Sequence, residues 1–169
     1  GSSNAIAGLF AVIGGGTSNS SSGNYASVPG GRANSAFGDY SFAAGRRAKA
    51  NHNGSFVWAD GMDADFTSSA ANQFNVRATG GVKIYTSGDM ESGVAVNAGS
   101  GTWTSISDSN AKKNIRSVQT DEILESISSL PIKRWSYKTQ NDSIEHIGPM
   151  AQDFYNTFHI GDDEKTISA

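Results

Sequence analysis

Ile13-Gly14-Gly15-Gly16-Thr17-Ser18-Asn19-Ser20 recurs 15 positions later as Val28-Pro29-Gly30-Gly31-Arg32-Ala33-Asn34-Ser35, and this short period constrains the fold more than any other feature of the chain. The register continues: Gly23-Asn24-Tyr25-Ala26 returns as Gly38-Asp39-Tyr40-Ser41, and Ser41-Phe42-Ala43-Ala44-Gly45 returns 14 positions on as Ser55-Phe56-Val57-Trp58-Ala59. A repeat this short cannot close a core of its own, so it must stack on its neighbours as coils of a solenoid. Within a unit, a run such as Tyr40-Ser41-Phe42-Ala43-Ala44 reads as a brief strand, followed by glycine and small polar residues with turn chemistry. The alternation of Tyr, Ser or Ala, and Phe or Val predicts a narrow inward stripe of side chains.

Of the chain's 20 glycines only Gly148 and Gly161 lie beyond residue 106, so the two halves obey different rules. The glycine-rich half carries few large side chains and is expected to need copies of itself to offset its ordering entropy. A flexible linker would lack the recurring Tyr, Phe and Trp positions. Residues 11–60 resemble the head repeats of trimeric autotransporter adhesins, and that resemblance implies left-handed β-rolls packed as a trimer. Residues 1–59 are thus expected to form head-like β-roll repeats, and residues 60–106 a β-rich shaft or connector.

In the connector, Asp60, Asp63 and Asp65 are close enough to suggest a calcium loop. The distal glutamate of the helix-loop-helix calcium motif is missing, and the three acids are expected to be solvated. Gln73–Ala78 and Gly81–Tyr85 alternate apolar and polar residues around Thr79-Gly80, which predicts a strand, a tight turn and a second strand. Gly93–Val96 and the glycine-serine tract ending at Trp103 complete the shaft.

Residues 107–169 read as a small α+β domain. Thr120 is placed to cap a helix whose Ile123, Leu124, Ile127 and Leu130 share a face, with Asp121 and Glu122 in its first turn and Pro131 as its stop. Ile132–Tyr137 and His146–Gly148 read as strands. Pro149 is placed to open a second helix from Met150 to about Phe158, with Met150, Phe154 and Phe158 on one face.

Ser107 and Lys112 stand at the start of this domain. A serine hydroxyl becomes a nucleophile when a neighbouring base takes its proton, and a lysine can be that base only when neutral, which requires burial or nearby positive charge. Lys113 could supply such charge. In an extended strand the pair would be roughly 16 Å apart on opposite faces, so a turn at Asp108-Ser109-Asn110 must fold them together. Those residue types favour such a turn through side-chain to backbone hydrogen bonds.

Ser-Asp-x-x-x-Lys-x-Asn-Ile at 107–115, a helix ending in Leu-Pro, an aromatic strand with Trp135 and Tyr137, and His-Ile-Gly-x-x-Ala-Gln-Asp at 146–153 together resemble the endosialidase-type intramolecular chaperones of phage tail spikes and fibres. The resemblance implies a domain that trimerises, helps the preceding β shaft fold, and releases itself by autoproteolysis at Ser107 with Lys112 as base. Backbone N–H groups would be the oxyanion donors. Asp108, Asn114, His146 and Gln152 fall within the matching motifs and are candidate supporting residues, with His146 a candidate to orient the catalytic pair. Ser109 and Asn110 stand where the family commonly has Arg or Lys, and the family usually continues with a longer C-terminal helical region than this chain carries.

The expected whole is therefore a mainly β, glycine-rich trimeric shaft joined to a small α+β chaperone domain, a single-turnover serine autopeptidase with no diffusing substrate. Its parent would be a virion tail fibre or a bacterial surface protein, with a host receptor or glycan as a possible partner of the shaft. The rival expectation is an adhesin whose C-terminal domain is a permanent, non-cleaving trimerisation cap. A glycan-degrading enzyme would need a propeller-sized catalytic domain upstream of residue 1. A net charge of −3 does not advertise a nucleic-acid partner, and the absence of cysteine removes disulfides and thiolate metal sites. The longest apolar stretch, Ala5–Ile13, is far short of the roughly 18 residues of a membrane span, and no cofactor or metal is implied.

Overall fold

The computed structural model describes residues 1–167, and the chain forms two compact units that part between Lys112 and Lys113. The first unit begins as a parallel β-solenoid of two facing sheets. One sheet contains β1 (Ala5–Ile6), β3 (Ser20–Ser21), β6 (Ser35–Ala36), β8 (Ala48–Ala50) and β10 (Phe66–Thr67). The other contains β2 (Val12–Ile13), β4 (Ser27–Val28), β7 (Phe42–Arg46), β9 (Phe56–Ala59) and β11 (Phe74–Arg77), with β5 (Gly31–Arg32) also pairing with β7. Successive coils advance by 15, 15, 14 and 18 residues, as the parallel register from Val12 to Ser27, Phe42, Phe56 and Phe74 records.

Among the described residues, the largest fully buried side chains in the core between the sheets are valine and asparagine, with Ile13 and Phe66 partly buried against them. Ala26, Val28, Ala36, Ala43, Ala48, Ala50, Val57 and Ala59 are the core's apolar members. Buried asparagines accompany them, as buried amides must find partners. The Asn19 side chain donates to the carbonyls of Gly15 and Gly31, and that of Asn34 to Gly30 and Gly45. Each side-chain oxygen also accepts the N–H of the residue one coil ahead: Asn4 from Asn19, Asn19 from Asn34, and Asn34 from Ala48.

The inward stripe expected from Tyr and Phe is corrected here. Tyr25 and Tyr40 are exposed and, with Phe10, form an outward stack with ring centroids 5.1 Å apart. Phe42, Phe56 and Phe74 form a second stack at 4.6 and 4.7 Å. All three residues of the first stack have φ near +57°, a left-handed corner that turns the ring away from the core.

Glycine sets the coil spacing. A Cβ on Gly16, Gly31 or Gly45 would overlap the carbonyl oxygen of the next coil, and so would one on Gly8 or Gly23. These are close approaches of backbone to backbone, which only glycine allows.

The repeats do not stop at residue 59, because β10 and β11 add a further coil. The expected strand, tight turn at Thr79-Gly80 and second strand are present, but the two strands have different partners: β11 pairs parallel with β9, whereas β12 (Gly81–Tyr85) pairs antiparallel with β13 (Gly93–Asn97). The chain thus leaves the solenoid after Arg77 and begins a three-stranded antiparallel sheet completed by β14 (Thr104–Ser105).

The second unit holds α1 (Thr120–Ser129), the antiparallel pair β15 (Ile132–Trp135) and β16 (His146–Pro149), and α2 (Ala151–Phe158). Gln119, not Thr120, takes the N-cap position of α1, without a side-chain hydrogen bond. Pro149 ends β16 instead of opening α2, whose N-cap is Met150. Among the described residues from 69 onward, no side chain reaches full burial.

Candidate active site

Ser107 and Lys112 are brought together. Lys112 Nζ donates to Ser107 Oγ at 2.6 Å, so the serine hydroxyl and the amine are within proton-transfer distance. The local sequence accounts for this. β14 holds the chain against β13 up to Ile106, whose N–H donates to the carbonyl of Gly93 at 3.1 Å. Residues Ser109–Ala111 then wind into one turn of 3₁₀ helix, with Asp108 as N-cap and Lys112 as C-cap. The Asp108 carboxylate accepts from Asn110 N at 2.9 Å and Asn110 Nδ2 at 3.0 Å. The Lys112 N–H closes the turn on the Ser109 carbonyl at 3.2 Å. An extended segment is thereby folded back, and the lysine meets the serine.

Both partners are exposed. Neither is buried by the residues around it, and Nζ stands as the donor in the contact. Attack by Ser107 requires the reverse polarity, with Nζ accepting.

The other candidate residues belong to the second unit. Asn114 adopts a left-handed conformation, with φ of 58°. His146 lies opposite Trp135 in the β15–β16 register and stacks on its ring at 4.5 Å, while its Nε2 meets Gln140 Oε1 at 2.9 Å. Its neighbours are thus an aromatic cluster completed by Tyr137 and the Gln140 amide. Gln152, in the first turn of α2, lines a pocket of about 370 Å³ with Trp135, Tyr137 and Met150. Asp153 pairs with Lys133, Nζ to Oδ2 at 2.6 Å. His52 is half-buried, with Nδ1 2.8 Å from Ser68 Oγ, and so ties two coils together.

The three connector acids are paired with cations, not simply solvated. Asp63 meets Arg46 at 2.8 Å and Asp65 meets Arg47 at 2.7 Å. Asp60 accepts from Arg77 Nε at 2.9 Å and from both the hydroxyl and the N–H of Thr79, at 2.7 and 2.9 Å. The Thr79 bonds, with Arg77 behind them, hold the Asp60 carboxyl far below the ordinary carboxylate range. Arg77 and Thr79 had no signal in local spacing. Arg47 and Asp65, 18 residues apart, pair across one coil whose length left no such signal either.

No curated protein and no solved structure matches the chain. With the Ser107–Lys112 contact at its first turn and both helices within its span, the segment 107–159 matches the family model described as the chaperone of endosialidase.

Proposed function

We propose that the C-terminal unit is an intramolecular chaperone that draws three copies of the chain into register, and that Ser107, with Lys112 as base, then cuts the chain beside itself. The observation that carries this reading is the 2.6 Å contact between the two side chains at the start of the matched segment. The mechanism follows from their chemistry. Lys112 Nζ takes the hydroxyl proton as Ser107 Oγ attacks the carbonyl carbon of the adjoining peptide bond. The C–N bond breaks, the departing amine takes the proton, and water hydrolyses the resulting ester. The event is intramolecular and happens once per chain.

Trimerisation is supported by the lack of buried side chains among the described residues of the second unit. Leu124 and Ile127 of α1 are 62% and 55% exposed, an apolar face that one protomer leaves in water. Assembly is also the means by which water would be excluded around Lys112, the condition a neutral amine needs. The parent is then a fibre of a virion tail or bacterial surface, with its solenoid available to a receptor or glycan.

Intact mass measurement combined with light scattering tests the reading. Wild type should give two fragments that break beside Ser107 and a threefold particle mass, while Ser107→Ala and Lys112→Ala should stay whole as trimers. The exposure of Lys112 favours one alternative, a permanent cap that never cuts. Three intact trimeric proteins would select it, and a monomer would refute both.

A further inference from the structure

The geometry points to Asp108 as the positioning residue of the serine–lysine pair, acting through its N-cap bond to the 3₁₀ turn and not through its charge. This rests on the autoproteolytic reading of Ser107 and Lys112 and adds a residue on which their approach depends. Ser107 immediately precedes the cap, and Lys112 closes the turn, so the two reacting groups flank a single three-residue helix. Such a turn is marginal by itself, since its hydrogen-bond geometry is poor and it fixes several dihedral angles for few bonds.

None of its residues is buried, so packing within the protomer does not hold it. Its two backbone closures, Ala111 N to the Asp108 carbonyl and Lys112 N to the Ser109 carbonyl, are both long at 3.2 Å. The Asp108 carboxylate makes the shorter bonds, 2.9 Å to Asn110 N and 3.0 Å to Asn110 Nδ2. The bond to the backbone N–H is the cap, and without it the segment relaxes toward the extended chain, which carries Lys112 away from Ser107. Asparagine caps as well as aspartate, because a neutral side-chain oxygen accepts the same N–H, whereas alanine cannot.

Cleavage kinetics of the full chain distinguish this role from an electrostatic one. Asp108→Ala should slow cleavage by about tenfold or more, the scale at which loss of a cap and displacement of a reacting group act. Asp108→Asn should restore the rate to within about twofold of wild type, with an unchanged pH profile. A variant of Asn110, Asn110→Ala, keeps the backbone donor and should cleave at close to the wild-type rate. Light scattering confirms that each variant assembles like wild type, and the Asn110 amide resonance should move upfield in Asp108→Ala alone among the Asp108 variants.

Equal slowing of Asp108→Ala and Asp108→Asn would overturn the capping role, as would an Asn110 amide indifferent to both. Cleavage of Asp108→Ala at the wild-type rate would overturn the inference while leaving the serine–lysine reading intact. Cleavage of Ser107→Ala, or a wild-type trimer that never cuts, would overturn that reading and this inference with it.

Discussion

Tyr25 sits in a column of left-handed corners where glycine would be the unstrained choice. A non-glycine residue there costs about 1–2 kcal/mol, and stacking between aromatic rings contributes about 0.5–1.5 kcal/mol in return. Tyr25→Gly should therefore be milder than Tyr25→Ala, since glycine relieves the corner while alanine keeps the strain and loses both rings. The expected gap is about 1 kcal/mol in denaturant unfolding, and an alanine variant as stable as the glycine one would contradict it. That tyrosine recurs at 25 and 40 is legible in the sequence. The outward direction of its ring is not, because an alternating pattern presumes extended dihedral angles and a left-handed residue breaks the alternation. Asp60 carries a second consequence. Its folded carboxyl titrates below the ordinary value near 3.9, so as pH falls the unfolded chain takes up the proton first. The stabilisation is complete above about pH 5 and is lost progressively as pH drops through 4 toward the folded value. Thr79→Val removes the hydroxyl donor. It should melt lower than wild type at pH 7, and the difference in melting temperature should narrow only when pH falls far below the ordinary carboxylate range, where the folded carboxyl itself takes up a proton.

The α1 helix is where element and assembly meet. Its apolar residues recur at helical spacing, yet Ile123, Leu124 and Ile127 all remain exposed, and the proposed trimer would cover them. Leu124→Asp should leave the helix able to form while placing a carboxylate on the face proposed to join copies. Light scattering should then report a protomer mass, and a trimer with wild-type stability would remove this face from the interface. The existence of both helices is readable from spacing and from the stop at Pro131. Their first residues are not, since Gln119 takes the cap position without the side-chain bond that makes a cap recognisable. The strand of residues 74–77 was readable as a strand, whereas its partner was not. The tight turn at Thr79-Gly80 was legible too, but it says nothing of which strands pair, and the coil register and the Asp60–Thr79 bonds keep β11 on the solenoid. For the serine–lysine pair, the turn-forming character of Asp108, Ser109 and Asn110 made the return of the chain foreseeable. The exposure of both partners was not foreseeable, because burial depends on what surrounds a residue in space.

At the scale of the whole molecule, the period of the repeat led directly to the coil, and the change from 15 to 14 residues survives as a change of register between Phe42 and Phe56. The later step of 18 has no comparable trace, because its longer connection at residues 60–65 does not resemble the repeats around it. What that connection interrupts is a column of glycines lying against carbonyls, running from Gly16 through Gly31 to Gly45 and ending at Ala59. The column makes each coil an interchangeable cassette. A segment bearing its glycines, asparagine and corner residue at matching offsets could be spliced in or removed as a whole turn, so a lineage can lengthen its solenoid by duplication. A cassette missing one of those glycines would jam the stack at a single rung.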